Sequence, residues 1–262
     1  PGPPAGPAAL LSLRATRLLG ALCRASAPNT EAAVTAGAVP GLLTALEGRA
    51  ELALRLAAAG ALGGIVKKST AAQDQTHHEG GVAQLMEVVR AACVASAPRR
   101  GQDAASVAAS QAALEEAVGA LVAQAALHAS SRADVLPTLK QMLTRGTRQE
   151  AAAAALACAG MAASASGREA VFGEELLDPL VKLVGTSADL RTRAWAADAL
   201  CLACMPTQLK LGPCTQHPAG ADVKPKPIAV RAGAIAPLLN LLKPPAAPTS
   251  TQSRGDAMGA TR

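Results

Sequence analysis

Apolar positions recur along this chain at spacings of three, four and seven residues, and the pattern returns in five ten-residue segments. These are GAVPGLLTAL at 37–46, GGVAQLMEVV at 80–89, DVLPTLKQML at 134–143, ELLDPLVKLV at 175–184 and GAIAPLLNLL at 233–242. The third place holds Val39, Val82, Leu136, Leu177 and Ile235, the sixth Leu42, Leu85, Leu139, Leu180 and Leu238, and the tenth Leu46, Val89, Leu143, Val184 and Leu242. Those offsets lay three side chains along one stripe of an α-helix, so each segment is predicted to be a helix with one buried face. Successive sixth-place leucines stand 43, 54, 41 and 58 residues apart, a period a little above 40 lengthened by two insertions. That period fits stacked units of two or three helices, none of which buries its stripe alone.

A longer helical stretch follows four of the segments, predicted at 51–67, 110–129, 148–164 and 189–205, and an unaccompanied one opens the chain at 9–25. Short lead-ins at 31–36, 168–173 and 228–232 precede three segments, so a full unit reads as a short, a medium and a long helix. Pro, Gly, Ser and charge dominate 96–108 and 206–227, which are expected to be loop insertions. Residues 1–8 are expected to be flexible, 9–243 to form the helical array and 244–262 to be a disordered tail. Pro244 and Pro245 prevent a long helix after the last segment. With an unaccompanied helix at its start as well, the array is expected to be incomplete at both ends and part of a longer gene product.

Composition narrows the packing. Half the residues are apolar, but Phe172 and Trp195 are the only aromatics and tyrosine is absent, so the core must be Ala, Leu and Val. Such a core suits closely packed helices, since alanine is the best helix former and the β-branched and aromatic residues that sheets favour are scarce. The longest uncharged run, 151–167, is mostly alanine and too weak and short for a bilayer. The opening PGPPAGPAALLSL has no basic region before its apolar residues, so no secretory leader is expected in it. The net charge is +6, with the basic residues scattered and stacking aromatics nearly absent, so nucleic acid is not an expected partner.

Chemistry-bearing residues are sparse. Cys201, Cys204, Cys214 and His217 form C-x2-C-x9-C-x2-H, the ligand types and count of a structural zinc site. Cys201 and Cys204, however, fall in a long helix where small apolar residues are needed for packing, so buried thiols are expected and no metal. Cys23, Cys93 and Cys158 also lie in predicted helices. Six thiols without small-domain disulfide spacing point to a reducing compartment, hence an intracellular location, cytoplasmic or nuclear. His77, His78 and His128 are expected to be solvated surface residues, because no nucleophile elbow or catalytic motif accompanies them. The glycine-rich run 60–64 has neither a preceding strand nor a following Lys-Ser/Thr, so it reads as close helix packing rather than a phosphate loop. No cofactor, no catalysis and no small-molecule substrate are expected.

GAVPGLL followed by LRLAAAGALGGIV, and AVRAGAIAPLLNLLK near the end, resemble armadillo repeats, and the resemblance covers roughly residues 9–243. HEAT repeats are the nearest alternative; the three-part unit and the Gly-Ala-Ile/Val start of the second helix favour armadillo. The resemblance implies an all-α, right-handed α-solenoid of about five repeats, whose long third helices line a concave groove for extended polypeptides. Armadillo proteins of the importin alpha and beta-catenin kind carry an Asn in the third helix to hold a peptide backbone, and importin alpha adds a Trp four residues earlier. Alignment puts Arg24, Gly64, Ala123, Cys158 and Leu202 at the Asn place and Gly20, Gly60, Gly119, Ala154 and Asp198 at the Trp place, so the ladder is missing. A chain of charge +6 is also a poor match for the basic peptides such a ladder holds.

What remains on the groove stripe is Arg17 and Arg24 in the first long helix and Trp195, Asp198 and Leu202 in the last. Trp195 reads either as an exposed anchor for a partner or as core packing, Trp and Arg being enriched at binding hot spots. The function the resemblance implies is a non-catalytic scaffold or adaptor that binds a protein or peptide along the concave surface. The alternative is the substrate-recognition region of a larger ubiquitin ligase resembling the plant U-box armadillo proteins.

Overall fold

The computed structural model describes residues 7–48, 50–97, 103–173, 176–204, 233 and 235–241. Within them it contains thirteen α-helices and no strand. Helix α1 (Pro7–Ala25) stands ahead of the first unit, which is α2 (Ala27–Thr35), α3 (Ala38–Leu46) and α4 (Leu52–Val66). The second unit is α5 (Thr70–His78), α6 (Gly81–Ala95) and α7 (Ala104–Leu127), and the third is α8 (Ala129–Arg145) and α9 (Arg148–Ala162). The fourth is α10 (Ala165–Gly173), α11 (Leu177–Thr186) and α12 (Leu190–Cys204), followed by α13 (Ile235–Leu241).

The repeated stripe is the core. Val39, Val82, Leu136 and Leu177, then Leu42, Leu85, Leu139 and Leu180, then Leu46, Val89, Leu143 and Val184 are all buried in one continuous cluster. Ile235, at the third place of the last segment, is instead 53% exposed, because α13 rests against α11 with no third helix beside it among the described residues.

In the first two units, glycine at the first place of the segment separates the first helix from the second. Gly37 and Gly80 take φ of 78° and 73°, left-handed values that a residue with a Cβ adopts only at a cost. Asp134 holds that place in the third unit, and there the chain does not turn: α8 runs unbroken from Ala129 to Arg145. The third unit, ahead of whose segment the sequence shows no lead-in, is therefore two helices where a full unit has three.

The long helices α1, α4, α7, α9 and α12 pack in succession to form one layer. Glycines set their spacing. A Cβ on Gly63 of α4 would come within 2.8 Å of the Ala120 Cα in α7, and one on Gly160 of α9 within 2.8 Å of Val122 Cγ1. Behind this layer, an arginine near the start of a third helix ties down the end of the second helix before it. Arg55 Nε donates to the Leu46 carbonyl at 3.0 Å and Arg193 Nε to the Val184 carbonyl at 3.0 Å, each acceptor being the tenth place of its segment. In the third unit Ala152 stands at that spacing and the tie is absent.

The stretch expected as a loop at 96–108 is narrower. Helix α7 begins at Ala104, with the Asp103 carboxylate accepting from the Ser106 N–H at 3.1 Å as its N-cap. The expected insertion at 206–227 and the tail at 244–262 lie outside the described residues. Among the described residues no helix is long and apolar enough to cross a membrane.

Candidate interaction surface on the third helices

Two clefts open on the third-helix layer, one on each side of α7. The larger, about 390 Å³, lies between α1, α4 and the first turns of α7, with the end of α6 beneath. Its floor is methyl-lined by Ala53, Ala57, Ala61 and Ala92, and its polar walls are Arg17, Arg24 and Glu116. The smaller, about 150 Å³, lies between α7, α9 and α12 and is walled by Gln111, Arg148, Asp189, Arg191 and Trp195.

Adjacent carboxylates of α7 reach to opposite sides. Glu116 approaches Arg24 of α1 at 3.9 Å, and the same Arg24 Nη1 donates to the Gly60 carbonyl of α4 at 3.3 Å. Glu115 accepts from Arg191 of α12 at 3.1 Å, while Arg191 Nη1 also donates to Gln111 Oε1 at 2.8 Å and its guanidinium lies 5.9 Å from the Trp195 ring centroid. Each pair crosses an intervening third helix, α4 or α9. The small residues at the Trp place make this possible: the Glu116 carboxylate occupies the space that a Cβ on Gly60 would need. Absence of the Trp-Asn ladder was legible in the sequence; that Arg24 and Glu116 lie across its place was not.

The five groove residues expected from the sequence divide between these clefts. Arg17 and Arg24 line the larger, and Trp195 lines the smaller while packing half-buried against the core. Asp198 is exposed and Leu202 is partly buried against the core, and neither lines these two clefts. Residues the sequence reading missed are Glu115, Glu116 and Arg191, whose signal was charge on the third-helix stripe.

The histidine expectation is corrected. His78 is exposed, but His77 and His128 meet with ring centroids 4.7 Å apart, their side chains only 25% and 17% exposed. His128 Nε2 lies 3.3 Å from Asp74 Oδ1, and His77 Nδ1 lies 3.6 Å from Asp134 Oδ2. Ser131 Oγ sits 2.9 Å from His128 Nδ1 and accepts from Gln124 Nε2 at 3.0 Å. Ser131, His128 and Asp74 thus have the connectivity of a hydrolase triad. Ser131 is fully buried, however, and its N–H donates to the same His128 Nδ1 at 3.2 Å, so the arrangement caps α8 and no substrate can reach the hydroxyl.

Buried thiols behave as packing groups. Burial pushes Cys158 up to about 12, and burial with the Glu150 charge pushes Cys93 up to about 12. Cys201 is exposed, contrary to the expectation of a core thiol, and Cys214 and His217 of the zinc-like spacing lie outside the described residues. Among the described residues no group of three or more His, Cys, Asp or Glu is arranged to hold a metal ion.

No family model matches the chain, and no curated protein does. Solved structures do. A designed armadillo repeat protein in complex with the peptide (KR)4 aligns over 90% of this chain and 91% of its own at 17% identity, with a TM-score of 0.57. A second designed armadillo repeat protein aligns over 89% and 86% at 18% identity and a TM-score of 0.53. A further engineered protein aligns over 92% and 84% at 24% identity and a TM-score of 0.56. At these identities the likeness establishes the fold, and the fold is an all-α solenoid of armadillo type.

Proposed function

We propose that the chain is a non-catalytic interaction scaffold that holds a partner polypeptide along its third-helix face, inside the cell in the cytoplasm or nucleus. The observation that carries this is the pair of clefts on that face, one on each side of α7, with three of the five expected groove residues in their walls. Stacked helices give a long open surface suited to an extended chain. The designed armadillo protein bound to (KR)4 supports the reading by analogy of fold. Catalysis is not assigned, since Ser131, the serine among the described residues with a histidine and a carboxylate in line with it, is buried.

A photo-crosslinking amino acid placed at Ala53 or Gln111 tests this, with the exposed Ala83 on α6 as the control. Adducts from Ala53 and Gln111 should map to one continuous stretch of a single partner, with none at Ala83. Equal labelling at all three, or none at the first two, would discard the reading.

A further inference from the structure

Charge on the larger cleft is uneven. Arg17 and Arg24 line it from α1, and the exposed Arg14 stands one turn ahead of Arg17 on the same stripe, just outside the lining; among the described residues neither Arg14 nor Arg17 is paired with a carboxylate. Glu116 is the one acidic residue in the cleft wall, and it is held by Arg24 through a long, half-exposed contact at 3.9 Å. Its neighbour Glu115 faces away, engaged with Arg191. A segment lying in the cleft therefore meets a positive rim on the α1 side above a floor of alanine methyl groups, and that apolar floor strengthens the field at the rim.

We infer that this cleft is the docking point for an acidic segment of a partner protein: an extended stretch that places one aliphatic side chain on the alanine floor and flanking carboxylates on Arg17 and Arg14. This rests on reading the third-helix face as an interaction surface and names the chemistry of its partner. At about 390 Å³ the cleft has the size of a pocket that encloses a side chain or small group rather than a flat patch. Arg24 is the adjustable element. Its guanidinium can exchange the Glu116 contact for a partner carboxylate without leaving the Gly60 carbonyl, 3.3 Å away. Arginine suits that exchange because its planar fork binds carboxylates through two parallel hydrogen bonds. Nucleic acid fits less well, because no aromatic ring lines the cleft to stack a base.

Fluorescence anisotropy on the full chain decides this, using a labelled peptide with a central leucine flanked by glutamates and a second flanked by lysines. The glutamate peptide should bind at least about tenfold tighter, and Arg17→Glu should weaken it by about tenfold or more. Ala109→Phe, which fills the cleft without changing charge, should weaken it too. Arg90→Glu, an exposed arginine on α6 away from this cleft, makes the same change in net charge and should leave binding unaltered. Glu116→Gln should tighten it, by freeing Arg24. Equal binding of the two peptides, no binding of either, equal losses in Arg17→Glu and Arg90→Glu, or tighter Arg17-dependent binding of a single-stranded DNA oligonucleotide would each overturn the inference. A partner cross-linked at Ala53 whose bound stretch lacks acidic residues would leave the scaffold standing and remove only the acidic specificity.

Discussion

Arg24 of α1 and Glu116 of α7 face each other across α4 at 3.9 Å, over a glycine that leaves them room. Two glycines of α4 thereby do different jobs. A methyl on Gly60 meets the Glu116 side chain from Cγ to the carboxylate, which can swing into solvent, whereas one on Gly63 meets the Ala120 backbone at 2.8 Å. Gly60→Ala is expected to change stability by less than about 1 kcal/mol, because the gain in helix propensity offsets an exposed ion pair of small value. Gly63→Ala is expected to cost about 1–3 kcal/mol by overpacking. Urea midpoints of the two variants measure the difference, and equal midpoints would mean that α4 and α7 can slide apart freely.

The same stripe position has different worth along the array. Leu139 is 1% exposed and Ile235 53%. Leu139→Ala should cost about 2–5 kcal/mol by lost transfer and cavity terms, and Ile235→Ala under about 1 kcal/mol. Amides of α13 should likewise exchange faster than those of α11 and α12, since few apolar contacts hold them. Uniform protection across α11 to α13 in a monomer would show that α13 is covered.

Periodicity located the second helices and their buried stripe, because the offsets of three, four and seven are set by helix geometry whatever lies beside them; the long third helices, rich in alanine and buried on most sides, were placed only as the helical stretches that follow. The pattern also held a feature left unread: Asp134 in place of glycine at the first place of the segment, where α8 runs unbroken. The meeting of His77 with His128 was not legible, since it depends on how α5 and the start of α8 lie against α7, and no local pattern encodes that. For the same reason the residues of the groove stripe could be named while their partners, Glu115 and Glu116, could not.

Thiol reactivity should divide by burial. Iodoacetamide at pH 8 is expected to modify Cys201, which is exposed, while Cys93 and Cys158 react only after unfolding. The pH consequence has a definite sign. Cys158 is raised from 9.0 to about 12, so the unfolded chain releases that proton first; the stabilising effect is complete below about 9 and is lost as pH rises toward about 12. Peptide mapping by mass spectrometry reads the first expectation and melting temperature against pH the second. Rapid labelling of Cys158 in folded protein would contradict both.

At the acid end the relevant group is Asp189, just ahead of α12. Burial by itself would raise its carboxyl. The Thr192 hydroxyl at 2.6 Å, the Thr192 and Arg191 N–H groups and the Arg148 charge outweigh that and hold it below its ordinary value of 3.8. A lowered carboxylate contributes stability that is present above 3.8 and disappears as pH falls through the folded-state value, so its loss belongs to the range below pH 3.8. Asp189→Ala removes both the hydrogen bonds to the start of α12 and this dependence, and is expected to cost about 1 kcal/mol at neutral pH. Asp189→Asn keeps an oxygen that can accept from Thr192 but carries no charge. It should recover much of the neutral-pH stability while leaving the acid slope as shallow as in Asp189→Ala. Thermal melts of the three proteins from pH 2 to 7, a range taken to span the ordinary carboxylate values of about 4, separate the two contributions; an Asn variant with the parent's full acid slope would assign that slope to other carboxylates.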